Sequence, residues 1–121
     1  MIAPVKLILA GVPLGNPGDA SARLINAIKN ATIIAAEDSR RFQRLCQDLG
    51  VDTQARVLSF FEGNEEERTN QLLEELKNGA DVLVVTDAGM PTVSDPGFKL
   101  VRSAVSENIP VEVLPGPSAV T

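Results

Sequence analysis

The hydrophobic positions of this chain fall into short apolar runs that alternate with amphipathic segments. Five runs are apolar throughout, a pattern typical of strands that are buried on both faces of a sheet. The predicted strands are Val5–Val12, Thr32–Ala36, Val57–Phe61, Asp81–Thr86 and Val111–Leu114.

The segments between the strands place their apolar residues at helical spacing. Ser39–Leu49 is the clearest case, and Gly50 stands where a helix ends. We expect the apolar stripe of this helix, which includes Cys46, to lie in the core. The stripe consists of Phe42, Leu45, Cys46 and Leu49.

Three further helices are predicted. One covers Ser21–Asn30; a second begins at an N-cap Asn64, with Glu67 in capping-box position, and ends before Gly79. The last follows the cap Asp95 and runs to Asn108. Its predicted buried residues are Leu100, Val101, Ala104 and Val105.

Strand and helix alternate along the whole chain, which predicts an α/β fold with a parallel five-stranded sheet and helices on both faces. A length of 121 residues fits one domain. The chain closes on a turn and the first residues of another predicted helix. We therefore expect residues 1–121 to be the first part of a longer protein.

The composition excludes several classes of chemistry. There is no histidine and one cysteine, so neither an internal disulfide nor a zinc site is expected, and Ser–His and Cys–His catalysis are excluded within this chain. The net charge of −5 argues against binding nucleic acid by bulk electrostatics, although a local basic patch is compatible with it. No apolar stretch is long enough to span a membrane, and we expect a cytoplasmic protein.

Three predicted strands end in loops rich in glycine and proline: GVPLGNPGD, DAGMPTVSDPG and LPGPSAV. Tight βα turns need such residues anyway, but three of them at the ligand-binding edge of one sheet favour a ligand held by backbone groups. P-loop and dinucleotide-binding motifs are absent. The pattern favours an adenosine-type cofactor that lacks phosphates.

These loops, together with AAEDSRR and FFEGNEEER, occur in an order and spacing that resemble the amino-terminal half of the tetrapyrrole-methylase superfamily. They are most similar to its ribosomal branch, which methylates a ribose 2′-hydroxyl of small-subunit ribosomal RNA. The resemblance implies two α/β domains, S-adenosylmethionine in the cleft between them, and a homodimer. It also implies that this chain, as the first domain alone, is inactive or nearly so.

The resemblance places cofactor contacts on the three loops. Gly89 lets the ligand approach the backbone, and Asp87 orients the second loop or approaches the cofactor. The implied cofactor-binding residues are Asn16, Asp87, Ala88, Gly89, Met90, Val93, Ser118 and Ala119.

The second strand is followed by a charged segment with two interpretations. Arg40, Arg41 and Arg44 form either a phosphate-binding patch for RNA or an ordinary solvated helix face. Glu37 and Asp38 are either general-base candidates for the ribose hydroxyl or a helix cap with its ion-pair partner.

Two other functions remain open. One is a tetrapyrrole C-methyltransferase, although the arginines and NEEER favour the ribosomal branch. The other is a non-enzymatic domain for RNA docking or dimerisation. Phe61 and Gly63 depart from the branch, which usually carries histidines at these two positions.

Overall fold

A computed structural model of the chain describes residues 7–12, 22–87 and 95–114. Strands and helices alternate along these ranges as the apolar pattern predicts. In chain order the elements are β1 (Leu7–Val12), α1 (Ala22–Asn30), β2 (Ile33–Ala36), α2 (Ser39–Leu49), β3 (Arg56–Ser59), a 3₁₀ turn (Glu62–Asn64), α3 (Glu65–Lys77), β4 (Val82–Asp87), α4 (Asp95–Ser106) and β5 (Val111–Leu114).

The strands form one five-stranded sheet in the order β3-β2-β4-β1-β5. Every neighbouring pair is parallel, which confirms the predicted fold class. The registers align one residue from each strand across the sheet. That row is Leu58, Ala35, Val84, Leu9 and Val113.

The sheet is covered on both faces, because successive residues of its strands point to opposite sides. In β4, Leu83 and Val85 pack with α1 and α2, whereas Val82 and Val84 pack with α3 and α4. The helices contribute Leu24, Ala27, Ile28, Phe42, Leu45 and Cys46 to the first face, and Leu72, Leu76, Leu100 and Ala104 to the second. This double burial explains why the strands read as unbroken apolar runs.

Helix α2 begins and ends as predicted. The Asp38 carboxylate accepts the backbone N–H groups of Arg40 and Arg41, each at 3.1 Å. At the other end Gly50 adopts φ +67°, a conformation that costs little only for a residue without a Cβ. The stripe of α2 is buried at Phe42, and Cys46 lies in the core as expected.

Helix α3 begins at Glu65, directly after the predicted N-cap residue Asn64, but the chain before it and the capping bonds differ from the prediction. The strand β3 ends at Ser59, two residues early, and the chain forms the 3₁₀ turn Glu62–Asn64 before the helix. The Asn64 side chain accepts the backbone N–H of Phe61 at 2.9 Å and makes no capping bond to α3, so the predicted capping box with Glu67 is wrong. The Asn64 oxygen is already used one turn earlier. The C′ glycine Gly79 is confirmed by its φ of +102°.

The end of α4 also differs. The helix stops at Ser106, and Asn108 adopts φ +63°, which turns the chain toward β5. Ile109 then becomes buried, and its N–H bonds to Ala104 O at 2.9 Å. Val105, predicted to be buried, is 60% exposed because its position faces outward from the helix.

Candidate functional site

The predicted cofactor loops leave the sheet from three adjacent strands. Parallel registers pair Val12 of β1 with Asp87 of β4, and Ala10 of β1 with Leu114 of β5. All three strands therefore end at the same edge, which we call the carboxyl edge. The segments 13–21, 88–94 and 115–121 follow these strand ends in the sequence and lie outside the described residues.

The connections that follow β1 and β4 lie on opposite faces of the sheet. Helix α1, after β1, packs on one face, and α4, after β4, packs on the other. In open α/β sheets, neighbouring strands whose connections diverge in this way leave a crevice outside their carboxyl ends, and ligands bind there. The described strands therefore place the expected ligand position outside the carboxyl ends of β1 and β4.

The predicted cofactor residues fall almost entirely on the segments outside the described residues. The exception is Asp87, whose backbone ends β4 as the partner of Val12. The Asp87 side chain lies outside the described parts of the structure. The same is true of the Asp95 side chain, which is predicted to cap α4. The remaining cofactor residues, which stay predictions, are Asn16, Ala88, Gly89, Met90, Val93, Ser118 and Ala119.

The other half of the carboxyl edge is formed by β2 and β3. Ala36 pairs with Ser59 at the ends of these strands, and Phe60 N–H donates to Ala36 O at 2.8 Å. The chain then continues from β2 into Glu37 and Asp38, and from β3 into the 3₁₀ turn. The connections from two neighbouring strands therefore begin side by side along this half of the edge.

Asp38 has a structural role that explains its position. Its backbone is extended, with φ −125° and ψ 99°, and its carboxylate caps α2. Glu37, directly before it, is exposed and makes no hydrogen bond or ion pair to any described residue. The helix-cap interpretation therefore accounts for Asp38 and leaves Glu37 without a structural explanation.

The three predicted RNA-binding arginines lie on the first two turns of α2. Arg40, Arg41 and Arg44 are exposed, and no ion pair joins them to another described residue. Arg40 and Arg44, four residues apart, share one face of the helix. The three arginines thus lie in the first half of α2, which follows the end of β2.

The turn after β3 carries contacts that the sequence did not predict. Asn64 Nδ2 donates to Ser59 O at 3.2 Å, and Arg68 Nε donates to the same oxygen at 2.9 Å. Arg68 is also bonded to Gln71 Oε1 at 3.0 Å. These bonds fix the backbone of residues 59–64 against α3. The only sequence signal for them was the FEGN segment, which resembled a helix cap.

A groove of about 660 Å³ lies away from the predicted site, between α3 and α4. Lys99 Nζ bonds to Glu65 Oε1 at 2.7 Å across it, and Lys77 pairs with Glu107. The groove separates two helices on one face of the sheet, whereas ligands of parallel α/β sheets bind at the strand ends. We therefore place the candidate site at the carboxyl edge.

Other types of site find no support among the described residues. No group of three or more Cys, Asp or Glu side chains in those ranges is arranged to hold a metal ion. Burial raises the pKa of the Cys46 thiol, which keeps it protonated and unreactive. Within the same ranges, no helix has the length and apolar character needed to cross a membrane.

Comparison with known proteins identifies the family. Residues 6–121 match the family described as Tetrapyrrole (Corrin/Porphyrin) Methylases. The chain belongs to this family. It is 47% identical over 116 residues to "Ribosomal RNA small subunit methyltransferase I" of Mycobacterium bovis, and 41% identical over 116 residues to the protein of that name from Thermotoga maritima.

The lengths of these methylase relatives differ from that of this chain. The matches cover 96% of this chain in both cases, but 41% of the Mycobacterium bovis protein and 51% of the Thermotoga maritima protein. The chain therefore spans about half or less of the curated relatives it matches.

Solved structures of methylases share the fold. A cobalt precorrin-4 methyltransferase superposes with a TM-score of 0.74 at 22% identity, covering 92% of this chain and 45% of that one. The uroporphyrin-III-C-methyltransferase of Thermus thermophilus gives 0.69 at 19% identity, covering 93% and 47% respectively. At such identities the likeness supports the fold alone.

Proposed function

We propose that this chain forms the first domain of an S-adenosylmethionine-dependent methyltransferase that modifies a ribose 2′-hydroxyl in small-subunit ribosomal RNA. The observation that carries the proposal is the 47% identity, over 96% of this chain, to a protein named for small-subunit ribosomal RNA methylation. The parallel fold, whose connections diverge after β1 and β4, supports the same function.

The charge distribution at the crevice fits S-adenosylmethionine. Neither the strands β1, β4 and β5 nor the segments that follow them contain a lysine or arginine. A phosphate-bearing ligand would lack a counter-charge there, whereas Asp19 and Asp87 are compatible with a cationic sulfonium and ammonium. The residues proposed to hold the cofactor are Asn16, Asp87, Ala88, Gly89, Met90, Val93, Ser118 and Ala119.

When bound, S-adenosylmethionine supplies an electrophilic methyl group on sulfur. The contribution of this chain is to align the ribose oxygen with that methyl group and to exclude water from the crevice. A ribose hydroxyl that accepted this methyl group would have to lose its proton to a nearby base. We propose Glu37 as the acceptor of this proton.

Glu37 is preferred over Asp38 for a geometric reason. Asp38 Oδ1 already accepts two backbone N–H groups of α2, and moving the carboxylate would uncap the helix. Glu37 follows the end of β2, and its side chain is exposed and has no partner among the described residues. Asp38 thus serves to hold α2, and with it the arginines, in place.

We propose that RNA is positioned by the arginines of α2. Arg40, Arg41 and Arg44 provide a local positive patch on a chain whose net charge is −5. Such a patch fixes the phosphate backbone while the site next to it selects the ribose. The proposal also includes the remaining features of the resemblance, namely a second domain that closes the crevice, a homodimer and a cytoplasmic location.

A radiolabel assay tests the proposed function. The full-length natural protein is incubated with methyl-labelled S-adenosylmethionine and either unmethylated small ribosomal subunits or uroporphyrinogen. We expect label in the RNA, on a ribose oxygen. Label in the macrocycle would instead establish the tetrapyrrole C-methyltransferase, and absence of both transfer and cofactor-induced thermal stabilisation would establish a non-enzymatic domain.

A further inference from the structure

Phe61 is an aromatic side chain held in an exposed position. Its side chain is 44% exposed, and the other exposed large hydrophobic residues of the described ranges, Val105 and Val113, are aliphatic. The chain has four phenylalanines and neither tyrosine nor tryptophan. Two of the other phenylalanines, Phe42 and Phe60, are buried at 1% and 3% exposure. Phe61 is therefore exposed, whereas Phe42 and Phe60 are buried.

The ring of Phe61 is seated on Gly63. A Cβ atom at Gly63 would lie 2.7 Å from Phe61 Cε2 and 3.2 Å from Cδ2, closer than such contacts allow. Glycine at this position thus lets the ring lie against the backbone of the 3₁₀ turn. The ring is thus close to the turn, while the side chain remains 44% exposed.

The backbone that carries the ring is also fixed. Phe61 N–H donates to Asn64 Oδ1 at 2.9 Å, and Asn64 Nδ2 donates to Ser59 O at 3.2 Å. Arg68 Nε anchors the same Ser59 oxygen at 2.9 Å. An exposed aromatic residue on a preorganised turn loses little conformational entropy when a ligand stacks on it.

Phe61 stands close to the strand end that leads into α2. Phe60 is buried in the cluster beneath α3 and α4, and its N–H bonds to Ala36 O at the end of β2. Phe61 is the next residue along the chain and has an extended backbone, with φ −140° and ψ 174°. The chain continues from Ala36 into α2, whose first turn carries Arg40 and Arg41.

The charges around the ring are asymmetric. Helix α3 begins with the acids Glu65, Glu66 and Glu67, whereas α2 presents exposed arginines in its first turns. A polyanion that approaches Phe61 is repelled from the α3 side and attracted to the α2 side. This asymmetry favours a path for RNA across the ends of β2 and β3, with its phosphates toward the arginines of α2.

We propose that the exposed side of Phe61 stacks with an unpaired base of the RNA substrate, next to the phosphates bound by α2. This inference rests on the proposed function and deepens it, because it predicts a substrate with an unstacked nucleotide at or beside the methylated ribose. Aromatic stacking on an unpaired base is a common mode of single-strand RNA recognition and tolerates different bases.

A tryptophan reporter tests the contact directly. Since the chain contains no tryptophan, Phe61→Trp places a single indole at the proposed stack, and Val105→Trp places one at an exposed position on α4 as a matched control. Each variant is titrated with a transcript of small-subunit ribosomal RNA. We expect quenching of Phe61→Trp that saturates with binding, and no saturable quenching of Val105→Trp.

Two further variants measure the functional consequence in the full-length natural protein. Phe61→Ala removes the ring, and Gly63→Ala keeps it but displaces it from its seat. Both should raise KM for small ribosomal subunits about 10-fold, the lower part of the range for one stacked base, and leave KM for S-adenosylmethionine unchanged. Phe61→Tyr should restore the wild-type KM for RNA.

The outcomes separate this inference from the function on which it rests. If the wild-type protein binds and methylates the RNA while Phe61→Trp is not quenched and Phe61→Ala keeps its KM, the stacking proposal is overturned and the proposed function stands. If the wild-type protein neither binds nor methylates the RNA, both the stacking proposal and the proposed function are overturned. Equal quenching of the two tryptophan variants would also overturn the stacking proposal.

Discussion

The two halves of the carboxyl edge offer a ligand different kinds of contact. Strands β4, β1 and β5 are followed by segments that are rich in glycine and proline and contain no lysine or arginine, and we propose that these segments offer backbone groups to the ligand. Strands β2 and β3 instead end beside side chains, the arginines of α2 and the ring of Phe61. A backbone-lined half suits a small cofactor of fixed shape, and a side-chain-lined half suits a polymer. The proposed function assigns one ligand to each half.

The largest effect should come from Glu37, which follows β2, the strand next to β4. Replacing Glu37 by glutamine keeps the size of the side chain and removes its basicity. If Glu37 accepts the ribose proton, kcat for methyl transfer should fall on the order of 100-fold or more, with KM for S-adenosylmethionine unchanged. Asp38→Asn is the matched control, because asparagine caps a helix as well as aspartate does. An unchanged rate for Glu37→Gln would remove it as the base.

The backbone-lined half is tested by giving its second loop a branched side chain. Gly89→Val should weaken binding of S-adenosylmethionine about 100-fold, since it obstructs approach to the backbone. Calorimetric titration of the full-length protein measures the affinity, and retention of labelled small-subunit RNA on filters measures RNA binding. RNA affinity should be unchanged. Loss of both affinities together would contradict the division of the edge.

The side-chain half is tested by removing its charges. Replacing Arg40, Arg41 and Arg44 together by glutamine should weaken RNA binding about 10-fold at low salt. The salt dependence is the sharper measurement, because losing three phosphate contacts reduces the slope of log affinity against log salt by about 2. S-adenosylmethionine affinity should be retained. An unchanged slope would show that these arginines do not bind phosphates and form an ordinary solvated helix face.

The smallest effect concerns the cap that holds α2. Asp38→Ala leaves two backbone N–H groups without their acceptor and should lower the free energy of unfolding by about 1 kcal/mol, whereas Asp38→Asn should be nearly neutral. Chemical denaturation measures both variants. Equal losses for alanine and asparagine would mean that the charge, and not the cap, is what stabilises the helix.

The fold was predictable because strands that are buried on both faces of a parallel sheet are apolar throughout, and the sequence shows five such runs. Runs such as VLVV in β4 have no polar face, since Leu83 and Val84 enter different clusters on opposite sides. The ends of α2 were predictable for the same local reason, as Asp38 and Gly50 are residues whose chemistry fixes a helix terminus.

The errors occurred where a side chain had two possible partners. Asn64 precedes a helix and is followed by Glu67, which resembles a capping box, but its oxygen bonds to Phe61 N–H. Val105 belongs to an apolar stripe of α4, yet Ile109 beyond the helix end occupies the core instead. Tertiary contacts decided both cases, and a sequence pattern does not contain them.

The candidate site was predictable only in outline. The alternation of strand and helix predicts that the three loops lie at one edge of the sheet. The parallel registers add that the strands before these loops, β4, β1 and β5, are neighbours. The contact of Phe61 with Gly63 was not predictable. The sequence marked these two residues only as departures from the family that the chain resembles. Their proximity makes them a single unit, since any side chain at position 63 would displace the ring.

The proposed function depends most on a cofactor bound at the ends of β1, β4 and β5. The direct measurement is an amide chemical-shift map of the isotopically labelled chain, titrated with millimolar S-adenosylmethionine. We predict the largest shifts at Gly11, Val12, Thr86 and Asp87 and in the segments that follow these strands, with smaller shifts along α2. Shifts concentrated at the opposite ends of the strands, or in the groove between α3 and α4, would contradict it.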